Sequence, residues 1–163
     1  MLNLTKKTEY GIIALTSLVR NSDRPLNSRQ ISTEYGIPLP ILSNILKELA
    51  KSGIAESLRG AKGGYRLKQN AEDLTLGRVL EVLEGKVRLT ECMDVAEGEA
   101  SDCSLQESCP VRAPLMRLQQ KMKGWLDEVS LAEIAVEPDD PQEKGPKLHE
   151  VAHIYGQPIH HPG

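Results

Sequence analysis

Aliphatic residues return at three- and four-residue steps in one run after another along this chain, and phenylalanine is absent from it. With aromatic residues at only 3% of the chain, the core must be filled mainly by Leu, Ile, Val and Ala, and side chains spaced in this way share a face only on a helix. The expected fold is therefore mainly α. Thr5 is an N-cap candidate for a first helix reaching Arg20, whose apolar stripe is Ile12, Ile13, Leu15, Leu18 and Val19. Residues 21–27 form a polar loop containing Pro25. Ser28 is then expected to cap a short second helix, SRQISTEYG, that ends at Gly36. PILSNILKELAKSG reads as a third helix, with Pro40 tolerated in its first turn and Gly53 just past its end.

Two helices joined across a short glycine-containing turn resemble a helix-turn-helix. In IAESLRGAKGGYRLKQ two strand-like runs flank a glycine-rich turn and carry Arg59, Lys62 and Arg66, which is the pattern of a small basic β-hairpin wing. TLGRVLEVLEG supplies a fourth helix, capped by Thr75 and stopped by Gly85, whose Leu76, Val79, Leu80 and Leu83 can close the core against the first. A long helix follows over 110–129, with Leu115, Leu118, Met122, Trp125, Leu126 and Val129 at helical spacing. Such a helix either folds back on its own domain or forms a dimer seam, and the seam is the preferred reading. SLAEIA adds a short terminal helix capped by Ser130. The expected organisation is a winged helix-turn-helix over residues 1–85, a cysteine-bearing loop over 86–109, and a long dimerisation helix with the short terminal helix over 110–136. Residues 137–163 form a tail rich in Pro, Gly and charge, expected to be mostly disordered.

The charge is divided along the chain. Residues 1–70 carry eleven Lys or Arg against five Asp or Glu, and residues 71–163 carry nine against eighteen. The first half can face a polyanion, while the acidic remainder is repelled by phosphate and should point away from it. A helix fits the major groove of DNA, and an arginine on a narrow hairpin can enter the minor groove. On the outward face of the third helix Asn44 suits an adenine edge, Ser43 is a tolerant donor and acceptor, and Ile41 can touch a thymine methyl. Lys47 and Lys62 suit phosphate, and Arg59 the minor groove. Ser28 and Tyr65 complete the expected DNA-contacting set. Any one of these residues is more often just a solvated side chain; their joint occurrence is what favours double-stranded DNA as the partner, read by a homodimer at a pseudo-palindromic site.

Cys92, Cys103 and Cys109 fall within one acidic, glycine-punctuated stretch, ECMDVAEGEASDCSLQESC, spaced C-x10-C and C-x5-C. Neither a C-x2-C zinc pair nor a thioredoxin-type motif is present. Thiolates on one loop suit a metal or an iron–sulfur cluster, although three ligands leave a four-coordinate site one short.

LTKKTEYGIIAL, IPLPILSNILKELAKSGIAESLRGAKGGYRL, LGRVLEVLEG, and LTEC, DC and CPVR followed by LAEIA together resemble the IscR/NsrR family of winged-helix regulators, and are most similar to its group governing the SUF iron–sulfur assembly system. The resemblance covers residues 1–136. It implies a homodimer, a dimerisation helix and an iron–sulfur cluster held by Cys92, Cys103 and Cys109. In the IscR branch a histidine three positions after the last cysteine completes the set; here that position is Arg112, which stays protonated and cannot ligate. In the NsrR branch a carboxylate from the other subunit does so, and aligning LTKKTEY places Glu9 there. Water or a small thiol in that position is the equal alternative. Both 2Fe-2S and 4Fe-4S clusters occur in such sites, and 2Fe-2S is placed first. The function implied is a transcriptional repressor of iron–sulfur assembly genes responding to cluster status or redox state.

Two rivals stay open. One is a nitric-oxide or thiol-redox responsive regulator of the same fold; the other is a zinc-stabilised interaction module. An enzyme is not expected, since no Ser/His/Asp or Cys/His arrangement appears before the tail, where His149, His153, His160 and His161 all lie. Metal binding by those histidines would first have to order the tail, so adventitious binding is the expected outcome. MLNLTKKTEYGIIAL does not read as a signal peptide and no run of about eighteen apolar residues occurs, so a soluble cytoplasmic protein without membrane contact is expected.

Overall fold

The computed structural model describes residues 4–60, 63–86, 88–89 and 108–136. Helix α1 spans Lys6–Arg20, and its N-cap Thr5 accepts from Thr8 N through the side chain. Helix α2 spans Ser28–Tyr35. Its cap is Asn27 rather than the expected Ser28, because Asn27 and Gln30 form a reciprocal capping box that draws the helix start one residue back. Gly36 ends α2 in the left-handed region at φ 66°, a conformation that glycine adopts without steric cost. The turn is held on both sides: Ile37 N donates to Ser32 O, and Ser32 Oγ donates to Ile37 O at 2.6 Å. It delivers the chain into α3, Leu39–Lys51, with Pro40 in the first turn where a missing N–H costs nothing.

Strands β1 (Ala55–Leu58) and β2 (Gly64–Leu67) pair antiparallel, with Ala55 opposite Leu67 and Leu58 opposite Gly64. Leu26 adds a one-residue third strand. Its N–H and C=O exchange hydrogen bonds with Tyr65 at 2.9 and 2.8 Å, which ties the wing to the loop before α2. An added Cβ at Gly64 would meet Leu26 O, and one at Gly63 would collide with Leu58 O, so both glycines serve close backbone approach as well as the turn.

Helix α4 (Leu76–Glu84) is capped by Thr75 and ended by Gly85, and it closes the core with Val79, Leu80 and Leu83. Helix α5 (Arg112–Glu128) packs along α4, and the chain then returns through an antiparallel bridge between Thr75 and Ser130. That bridge carries the short helix α6, Leu131–Ala135, back onto α1, where Arg20 Nε donates to Ala135 O and Leu131 is buried in the common core. The core is aliphatic, as expected: Leu15, Leu18, Ile31, Leu42, Ile45, Leu46 and Leu49 are at most 1% exposed. Each such side chain contributes roughly 1.5–3 kcal/mol through burial. Among the described residues no helix is long and apolar enough to cross a membrane.

Candidate nucleic-acid interface and cysteine segment

Burial divides α3 into two faces. Leu42, Ile45, Leu46 and Leu49 are buried against α1 and α2, which leaves Pro40, Ile41, Asn44, Lys47 and Lys51 exposed along one stripe. Ile41 keeps 45% of its surface in water, an apolar side chain held out on the exposed face of α3. Ser43 is half-buried at the edge of this stripe. Ser28 is half-buried in the first turn of α2. Arg59, next to Gly60 at the end of β1, is exposed on the wing, whereas Arg66 is engaged by Glu56 across the hairpin. Tyr65 is half-buried and packs against the core, while its backbone holds Leu26. Lys62 lies outside the described residues.

The fold thus brings Ile41, Ser43, Asn44 and Lys47 together on one helix, and joins the hairpin carrying Arg59 to the helical core through Leu26. Pro40 also belongs to the exposed stripe, beyond the residues the sequence pattern singles out. Its position follows once the inward face of α3 is known, since only residue spacing places it beside Asn44 and Lys47.

At the cysteine segment, Cys109 is a half-buried free thiol ahead of α5, and its carbonyl accepts from Arg112 N. Cys92 and Cys103 lie outside the described residues, as do most of the segment 86–109, the tail 137–163 and its four histidines. Glu9 is half-buried on α1 and forms an ion pair with Lys6 one turn away. Among the described residues no three His, Cys, Asp or Glu side chains converge as metal ligands. By residue type, Cys92, Cys103 and Cys109 offer three soft thiolates, the donors that iron–sulfur clusters take.

Helix α5 has no fully buried side chain. Leu115, Met122 and Leu126 are half-buried, and a cleft of about 370 Å³ runs between α4 and α5, lined by Gly77, Glu81, Leu89, Met122 and Leu126 among others. Leu118 and Trp125, seven residues apart and so on one stripe, remain 47% and 63% exposed. The long helix therefore both leans on its own domain and leaves an apolar stripe uncovered.

A polar junction that no sequence pattern announces lies where α1 and α4 meet. Glu84 accepts from Thr5 N, Thr5 Oγ1 and Thr8 Oγ1 at 3.0, 2.6 and 2.5 Å. Partial burial disfavours its charge, but these hydrogen bonds and the nearby Lys7 outweigh that and hold the carboxyl below the usual glutamate value. Lys7 Nζ donates to Leu83 O at 2.8 Å and lies 2.9 Å from Glu48 on α3. Sequence separations of 41 and 76 residues leave no local signal for these contacts.

A family described as Rrf2, iron-dependent transcriptional regulator, matches residues 4–137. Over 116 residues, 71% of this chain and 73% of the relative, the sequence is 33% identical to the protein called aau3 of Rhizobium meliloti. It is 31% identical to the HTH-type transcriptional regulator IscR of Photobacterium profundum over 134 residues, 82% of this chain and 75% of that protein. Among solved structures, CymR (YrzC), the global cysteine regulator of B. subtilis, aligns with a TM-score of 0.65 at 27% identity, covering 83% of this chain and 97% of that one.

Proposed function

The chain belongs to the Rrf2 family of transcriptional regulators, and from that premise we propose that it is a homodimeric repressor whose cysteine segment reports iron–sulfur cluster status to genes of SUF-type cluster assembly. Membership makes it an IscR-like, DNA-binding regulator rather than an enzyme. The observation that carries the finer reading is the pairing of two features in one chain. An outward stripe of Ile41, Asn44 and Lys47 on α3 suits the major groove, and a half-buried Cys109 stands at the junction of the cysteine segment with α5.

In this reading Asn44 reads a base edge, Ile41 contacts a thymine methyl, and Ser43 supports them from the edge of the stripe. Lys47 and Lys62 neutralise phosphate, and Arg59 enters the minor groove, with Ser28 and Tyr65 at the margins of the contact. Leu118 and Trp125 form the seam with a second copy, which would cover an apolar stripe that otherwise stays wet. Cys92, Cys103 and Cys109 hold the cluster, 2Fe-2S ahead of 4Fe-4S, and the partner subunit's Glu9 is the candidate fourth ligand. When bound, the cluster supplies a redox-labile centre. Glu9 pairs with Lys6, and exchanging so exposed an ion pair for ligation would be a small cost.

The test is anaerobic purification with visible absorption and iron and acid-labile sulfide assays, repeated on Cys103→Ala and Glu9→Ala. The wild type is expected to be coloured with iron and sulfide present, and Cys103→Ala to lose both. A colourless wild type with zinc and no sulfide supports the interaction module instead, and one with neither supports a thiol or nitric-oxide sensor. Unchanged spectrum, cluster stability and DNA affinity in Glu9→Ala would remove Glu9 from the ligand set.

A further inference from the structure

Lys7 connects three elements at one point. Its ammonium donates to Leu83 O near the end of α4, pairs with Glu48 on α3, and belongs to the first turn of α1. The last carbonyls of a helix have no intrahelical partner and carry the negative end of its dipole, so a lysine there satisfies an acceptor and a field together. Beside it, Glu84 is held by Thr5 and by the fully buried Thr8, so the final two residues of α4 are fastened to the start of α1. One residue later Gly85 turns the chain out of α4 with φ 87°, and the cysteine segment begins. On the other side Glu48 is one turn beyond Asn44 and adjacent to Lys47, the residues that form the reading stripe.

Helix α4 packs directly on α3, with Leu83 in the same apolar core as Ile45 and Leu49, so a displacement at Leu83 reaches the reading face through that packing and through Lys7. Apolar packing is non-directional, whereas Lys7 ties two particular atoms, the carbonyl oxygen of Leu83 and the carboxylate of Glu48, by directed contacts. We propose that Lys7 is a positioning residue that couples the state of the cysteine segment to the orientation of α3, acting through Leu83 O and Glu48. This rests on the reading of that segment as the sensor. Half-exposed ion pairs contribute little to stability, so the junction can be cut without unfolding the chain.

The experiment uses the full chain, purified anaerobically, with a DNA duplex selected by the wild type from a random library. Cys109→Ala should change the affinity for this duplex about fivefold or more in the wild-type background, in the range of ordinary allosteric coupling, and should alter hydrogen exchange in α3. In Lys7→Met the same cysteine substitution should change affinity less than about twofold and leave α3 exchange unaltered. Lys7→Arg should restore the coupling. Glu48→Met, which removes the acceptor on the α3 side and leaves Lys7 on Leu83 O, should abolish it again. A Cys109→Ala effect that persists at full size in both Lys7→Met and Glu48→Met overturns the relay while leaving the sensor intact. If Cys109→Ala changes neither affinity nor exchange in the wild-type background, the sensor reading falls and the relay with it.

Discussion

Replacing Gly64 by alanine tests whether the wing is fastened to the helical core by backbone. A Cβ at this position would lie 2.5 Å from Leu26 O, 2.6 Å from Leu26 C and 2.9 Å from Asn27 N. All three are backbone atoms, so no rotamer change relieves the clash, and Leu26 must move away from β2. That movement strains the two hydrogen bonds between Leu26 and Tyr65, at 2.8 and 2.9 Å. Each contributes about 0.5–1.5 kcal/mol net, and overpacking of this kind costs about 1–3 kcal/mol. Reduced freedom of the unfolded chain offsets about 0.4–1 kcal/mol. The balance is a loss of roughly 1–5 kcal/mol, centred on about 3 kcal/mol, a large fraction of the roughly 5–15 kcal/mol that holds a domain together. With a urea slope of about 2 kcal/mol per M, the middle of the usual range, the central loss corresponds to an unfolding midpoint by circular dichroism lower by about 1.5 M. Gly36→Ala provides the contrast: its space is open, but φ 66° makes alanine strained there by about 1–2 kcal/mol without touching the wing. A Gly64→Ala midpoint equal to or above the wild type would refute the argument that Leu26 backbone holds β2.

Asn44→Ala should cost about 1–3 kcal/mol at one base position and relax specificity there, measured by binding to duplexes mutated position by position. Lys47→Ala should instead weaken all sequences alike and reduce the slope of log affinity against log salt by about one. Arg59→Ala should weaken binding preferentially at sites with a narrow minor groove; equal losses at all sites would remove the wing arginine from that role. Because hydrogen bonds from Thr5 and Thr8 depress the Glu84 carboxyl in the folded state, its contribution is present above the unfolded value and lost as pH falls through the lower folded one. The melting temperatures of wild type and Glu84→Gln should accordingly differ at neutral pH and converge in acid. Trp125→Glu combined with Leu118→Glu should convert a dimer to a monomer in sedimentation velocity while leaving the winged domain folded; a chain that sediments as a dimer in spite of both charges would place the seam elsewhere.

Local rules carry the helical part of this fold a long way. Thr5, Thr75 and Ser130 are caps where the sequence pattern puts them, because an N-cap is a contact within three residues. The same reasoning misplaces the start of α2, since Asn27 and Ser28 are both good caps and the choice is made by Gln30 reaching back. The inward stripe of α3 follows from periodicity alone, and with it the outward positions Ile41, Asn44 and Lys47. Tyr65 shows the boundary: its place in a strand is legible, but its packing against the core and its pairing with Leu26 depend on a segment some forty residues earlier.

By itself the sequence determined the elements, the caps of α1, α4 and α6, the basic half and the residue types available for DNA and for a cluster, because each depends on contacts a few residues apart or on composition. Only the tertiary structure decided that α6 returns to the common core, that Gly64 is required by Leu26, and that Lys7 joins Leu83 to Glu48. These are contacts between residues distant in the chain, whose pairing no local pattern encodes and whose partners would each read alone as an ordinary solvated or turn residue.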